Sequence, residues 1–93
     1  MEPPKPPAID PATVSVRKGA NYPRSLRGRV EQRRKQALGD AVGLTHFGVN
    51  LVRLPPETWS SLRHWHRNED EFIYVLEGEV TLVTDGGEQV LRP

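Results

Sequence analysis

The chain has 93 residues and a net charge of +1, so it is long enough for one domain with a small core. It contains no cysteine, which excludes disulfides and thiolate metal sites and favours an intracellular protein. No apolar run approaches the roughly 20 residues needed to span a bilayer. The N-terminus is rich in proline and does not resemble a signal peptide. We therefore predict a cytoplasmic protein without a membrane partner.

The first third of the chain carries little that would build a core. Residues 1–12 contain five prolines, which preclude regular structure and predict a mobile tail. Residues 17–35 then hold eight basic residues and one acid, Glu31. The basic residues are Arg17, Lys18, Arg24, Arg27, Arg29, Arg33, Arg34 and Lys35. We interpret this segment as an irregular, solvated arm.

Two alternatives for the basic arm are contact with nucleic-acid phosphates and a basic rim that attracts an anionic substrate. The arm contains a single aromatic residue, Tyr22, and matches no nucleic-acid-binding motif. We therefore predict no nucleic-acid partner.

Glycines at positions 39 and 43 mark the change to β-structure, and we divide the chain into an arm, residues 1–43, and a β-domain, residues 44–93. Alternating apolar residues and turn residues predict five short strands in this domain. The predicted strands are 45–54, 59–66, 71–77, 79–84 and 88–92. The last two form a hairpin around Asp85-Gly86-Gly87, in which glycine supplies positive φ. This spacing is typical of an all-β sandwich or barrel.

Three side chains near the centre of the β-domain suggest a metal site. His64 and His66 are two positions apart on a predicted strand, so both point to one face of the sheet. Glu71 follows a polar turn, and its parity places it on the face of Ile73 and Val75, which we expect to be interior. A carboxylate that points into a β-core is costly unless it is paired or coordinated. Two imidazoles and one carboxylate are the ligand set of a facial metal site.

An alternative reading needs no metal. In it, the histidines lie on an exposed strand and Glu71 pairs with Arg63 or Arg67. His46 is the remaining histidine, and its parity opposes that of Phe47, so we expect it on the partly exposed face rather than among the ligands.

The spacing His-x-His-x4-Glu-x6-Gly over residues 64–78 resembles the first motif of the cupin superfamily. The resemblance implies a partial cupin double-stranded β-helix, that is, a jelly-roll barrel, preceded by the irregular arm rich in proline and arginine. It also implies that His64, His66 and Glu71 bind a divalent metal ion, such as Mn, Fe, Ni or Zn. Gly78 would be the turn glycine that closes the motif.

The chain departs from the superfamily pattern in two places. Thr58, preceded by Glu57, stands where the pattern has a glycine, six positions before the first histidine. The second motif, with its fourth ligand histidine, would begin beyond Pro93. We expect a barrel truncated at this point to expose unpaired strand edges and apolar surface, and therefore to form a homodimer or to aggregate.

Within the superfamily, residues 48–51, 63–66 and 85–87 resemble small single-domain cupins similar to sugar-phosphate isomerases. The resemblance implies a small-molecule ligand, such as an anionic sugar phosphate, and a metal that acts as a Lewis acid. No residue is a candidate for the catalytic base, so we assign none. The alternatives are a non-catalytic cupin that binds a small molecule, an inactive truncated remnant and an iron-dependent oxygenase.

Overall fold

The structure is a computed structural model of the chain, and it describes residues 7–19, 23, 25, 28–60 and 70–93. In these ranges, strands dominate and helix is limited to a 3₁₀ turn and one α-helical turn, so the predicted all-β class is confirmed. No helix in the described ranges is long and apolar enough to cross a membrane. The elements are the 3₁₀ turn Pro11–Thr13, β1 Arg17–Lys18, β2 Arg34–Ala37, α1 Leu38–Ala41, β3 Asn50–Arg53, β4 Val80–Thr84 and β5 Gly87–Leu91.

The first sheet has the strand order β1-β2-β3, and both pairs are antiparallel. The arm that we expected to be irregular therefore supplies two strands. The sequence of β2, Arg34-Lys35-Gln36-Ala37, has no apolar alternation, which is why the pattern did not predict a strand. Backbone pairing with both neighbours stabilises it instead. The sheet joins residues on both sides of position 43, and the division into an arm and a β-domain stays a prediction.

Side chains tie the N-terminal segment to this sheet. The Gln36 side-chain amide donates hydrogen bonds to the carbonyl oxygens of Pro11 and Val14, at 2.7 and 2.9 Å. The Asp10 carboxylate accepts a hydrogen bond from the Ala12 N–H at 3.0 Å and caps the 3₁₀ turn. Within the predicted mobile tail, Pro11 is thus bonded to the sheet, and residues 10–12 form an ordered turn.

The connection from β2 to β3 passes through α1 and requires close backbone packing. Gly39 is buried, and its N–H donates to the carbonyl oxygen of Val49 at 2.9 Å. A Cβ atom at position 39 would lie 2.9 Å from the Val49 backbone nitrogen. Only glycine fits here without a shift of the backbone.

Strands β4 and β5 form the predicted hairpin, with Val80 opposite Leu91 and Thr84 opposite Gly87. The positive φ of the turn falls on Gly87, at 120°. Thr84 Oγ1 accepts a hydrogen bond from the Gly86 N–H at 3.2 Å within the turn. The prediction is confirmed to within one residue at each strand end.

The other predicted strands differ from the structure. Only residues 50–53 of the predicted strand 45–54 are in a strand, and residues 71–77 form none. Residues 59 and 60 are also outside any strand, and the rest of the predicted strand 59–66 lies outside the described residues. Apolar alternation indicates which residues suit a strand, but a strand also needs a hydrogen-bonding neighbour. None of the described strands pairs with residues 71–77.

Little apolar surface is buried in the described residues. Val30, in the turn of the basic arm, is the buried hydrophobic residue of this part of the chain. The accessible surface of 8412 Å² exceeds the roughly 5,400 Å² expected for a compact protein of this mass. The radius of gyration, 14.8 Å, likewise exceeds the expected value of about 12 Å. Among the described residues, large apolar side chains such as Phe72, Tyr74 and Leu76 are exposed to solvent.

Candidate metal-binding segment

The basic arm contacts the backbone at Trp59 and Ser60, shortly before the predicted metal ligands in the sequence. The Arg33 guanidinium donates from Nε and Nη2 to the carbonyl oxygen of Gly19, at 3.2 and 2.9 Å. Its Nη1 donates to the carbonyl oxygen of Ser60 at 2.7 Å. One side chain thus links the end of β1 to the residue four positions before His64. We call this arrangement the Arg33 clamp.

A second contact holds the neighbouring residue. The Trp59 N–H donates to the carbonyl oxygen of Arg29 at 2.7 Å, and the Arg29 guanidinium carbon lies 5.6 Å from the centre of the Trp59 ring. That distance is typical of a cation–π contact. The arginines at positions 29 and 33 therefore position the chain at the start of the candidate site, a role that charge counting did not suggest.

The turn before this point is unusual. The Thr58 N–H donates to the Pro55 carbonyl oxygen at 3.1 Å, and Glu57 has a φ of 62°. Among the described residues, Glu57 is the non-glycine residue with positive φ. Glu57 occupies position i+2 of this turn, and a type II turn requires a positive φ there, so glycine is normally found at that position. The departure from the glycine pattern around Thr58 thus coincides with a strained turn.

Glu71 lies in an extended segment without strand pairing, and it is exposed. The exposure of residues 72–76 alternates as expected for a strand with one interior face. Val75 is half-buried, and Ile73 is less exposed than its neighbours. Phe72 and Tyr74 are 88% and 74% exposed. The interior placement of Glu71 is nevertheless wrong for the described chain, because no packed layer covers Ile73, which is itself 56% exposed.

His64 and His66 lie outside the described residues, so the assembly of the three predicted ligands stays a prediction. The described ranges contain no group of three His, Asp or Glu side chains that could hold a metal ion. His46 is exposed in a bend between α1 and β3, where its Nδ1 lies 3.1 Å from Thr45 Oγ1. It is not on a strand, and the expectation that it is exposed is confirmed.

The structure also contains an open cleft that the sequence did not suggest. It has a volume of about 840 Å³ and lies between the N-terminal segment and α1. Asp10, Arg17 and Asp40 contribute charged groups to its lining. The segments that form it are far apart in the sequence. The pairing of β1 with β2 and the hydrogen bonds of Gln36 to Pro11 and Val14 bring them together.

Comparison with protein families bears on the same part of the chain. Residues 50–93 match the family model of the cupin domain. The match begins with β3, includes His64, His66 and Glu71, and ends with the β4–β5 hairpin. It supports the cupin superfamily for this part of the chain and agrees with the antiparallel, strand-rich fold. No curated protein and no solved structure matches the chain.

Proposed function

We propose that residues 50–93 are a metal-binding cupin segment in which His64, His66 and Glu71 hold a divalent metal ion. The observation that carries the proposal is the family match, which covers all three residues. Imidazole nitrogens and a carboxylate oxygen suit Mn, Fe, Ni or Zn.

The contacts of the basic arm support this proposal further. A metal site needs ligands whose positions are restricted before the ion binds. The Arg33 clamp and the Arg29–Trp59 contact restrict the backbone up to Ser60, four residues before the first predicted ligand. We propose that the arm positions the backbone that precedes the site and supplies no ligand itself.

Metal analysis of the purified protein tests the proposal. We expect bound metal in the wild type and its loss in His64→Ala and in Glu71→Gln. Asp70→Asn and His46→Ala are matched controls, because they remove the same chemical groups from exposed positions outside the ligand set. Equal metal content in the wild type and in both ligand variants would disprove the site.

We further propose that the domain acts on, or binds, a small anionic molecule such as a sugar phosphate. A divalent ion at this site would act as a Lewis acid toward a carbonyl or enediolate oxygen. The basic residues of the arm supply a positive field that attracts an anion. The lack of cysteine is compatible with the reducing cytoplasm, where such metabolites occur.

An isomerase assay separates catalysis from binding. An active enzyme should interconvert aldose and ketose phosphates, lose that activity with a chelator and regain it when metal is added. Ligand binding without turnover would instead support a non-catalytic cupin. Metal-dependent consumption of oxygen would support the iron-dependent oxygenase.

We also propose that the protein associates with a second copy of itself. Phe72, Tyr74 and Leu76 are 88%, 74% and 67% exposed, and burial of such side chains against another chain is favourable. Among the described residues, β1, β3, β4 and β5 lie at sheet edges, where a strand of another chain can pair.

Sedimentation measures this association directly. We expect the wild type to sediment as a dimer or larger species and Phe72→Ser to shift the distribution toward monomer. Glu88→Ser, an exposed change without loss of apolar area, serves as the control. A monodisperse wild-type monomer with a cooperative unfolding transition would contradict the proposal.

A further inference from the structure

Three basic residues form a row across the first sheet. Lys18 on β1 lies opposite Arg34 on β2, and Arg34 lies opposite Arg53 on β3. Residues directly opposite each other in antiparallel strands point to the same face. Because neighbouring strands are about 4.8 Å apart, the backbone positions of this row span about 10 Å. We call Lys18, Arg34 and Arg53 the cationic row.

This row is unfavourable for the sheet by itself. Like charges directly opposite each other destabilise a strand pair. Both pairs of the row, Lys18 with Arg34 and Arg34 with Arg53, consist of two positively charged side chains. In the described part of the chain, no carboxylate forms an ion pair with a member of the row, so ion pairing there does not offset the repulsion. A bound anion would offset it.

The members of the row are suited to hold such an anion. Lys18 and Arg53 are exposed, and Arg34 is half-buried. Nη1 of Arg34 donates to the Gln32 carbonyl oxygen at 2.8 Å, which orients the guanidinium at the centre of the row. An arginine fork binds phosphate through two parallel hydrogen bonds, and lysine adds a point charge.

We propose that the cationic row binds a small molecule that carries two or more phosphate groups. A single phosphate reaches one adjacent pair, whereas a row of about 10 Å accommodates a longer polyphosphate. The next residues on the same face, Gln36 and Leu51, are not aromatic. Within the described strands, the row therefore has no adjacent aromatic side chain of the kind on which single-stranded nucleic acids stack their bases. This inference does not depend on the proposed metal site.

Calorimetric titration of the full chain with inorganic tripolyphosphate tests the row. The buffer contains EDTA at physiological ionic strength, so that binding through a metal ion is excluded. The double variant Lys18→Gln/Arg53→Gln should weaken binding about tenfold. The matched control is Arg17→Gln/Lys35→Gln, which removes two cations from the same sheet but from its other face. It should change the affinity less than about twofold, since only long-range charge is lost.

Further measurements keep the result interpretable. Circular dichroism of each variant checks folding, and Lys18→Arg/Arg53→Lys, which keeps the cations, should retain the wild-type affinity. If the control variant weakened tripolyphosphate binding as much as the row variant, net charge alone would explain the effect and the proposal would be overturned. Wild-type protein that does not bind tripolyphosphate, or that binds orthophosphate equally well, would overturn it too. Tighter binding of a single-stranded oligonucleotide than of tripolyphosphate would assign the row to nucleic acid instead.

Discussion

The basic N-terminal region, residues 10–60, and the apolar C-terminal region, residues 70–93, are organised in opposite ways. The first is rich in arginine, yet it contains the buried Val30 and a sheet braced by side-chain hydrogen bonds to backbone carbonyls. The second has the clearer apolar pattern, yet Phe72 and Tyr74 are exposed. The difference shows that a high apolar content does not by itself bury side chains. Specific polar contacts can order a region that contains few apolar residues.

The largest expected change in stability comes from removal of the Arg33 clamp, which tests the role of polar contacts in the N-terminal region. Arg33→Ala should lower the free energy of unfolding by about 2 kcal/mol, because it removes the charged donor of the part-buried Gly19 carbonyl oxygen. The bond to Ser60 is exposed, so water replaces the lost donor there at a smaller cost. Phe72→Ala is the control in the apolar region and should cost about 0.5 kcal/mol or less, since its side chain is already in solvent. Denaturant titration measures both values. A larger loss for Phe72→Ala would reverse the comparison.

A smaller effect is expected where backbone segments approach closely. Gly39→Ala should destabilise the protein by about 1–2 kcal/mol, because the new Cβ would lie 2.9 Å from the Val49 nitrogen and the connection between β2 and β3 would have to shift. Gly48→Ala is the matched control, since no atom lies within 4 Å of a Cβ there. Thermal unfolding of both variants distinguishes them, and equal melting temperatures would show that α1 does not require the close approach.

The smallest effect concerns the strained turn. Glu57→Gly should stabilise the protein by about 1 kcal/mol, because glycine adopts a φ of 62° without the steric cost that glutamate has. The same change in the apolar region, Glu88→Gly in β5, should instead destabilise the protein, since glycine weakens a strand. Chemical denaturation gives the sign of each change. A loss of stability in Glu57→Gly would indicate that its side chain contributes more than the turn strain costs.

The predictions succeeded where structure depends on neighbouring residues in the sequence. The hairpin of β4 and β5 was predicted because Asp85-Gly86-Gly87 specifies a short turn and the flanking residues suit strands. Strand β2 was not predicted, because its four residues are stabilised by partners 13 or more positions away. The predicted strand at residues 71–77 lacks such a partner in the described chain, so the local preference was not enough.

The sequence by itself determined the all-β class, the hairpin and the motif of His64, His66 and Glu71, because turn chemistry, alternation and ligand spacing are local properties. Only the tertiary structure decided that the basic arm enters a sheet, that Arg33 joins Gly19 to Ser60, and that Lys18, Arg34 and Arg53 form one row. These features depend on which distant segments pair and in which register. The polar sequence of β2 has no apolar alternation from which that register could be predicted.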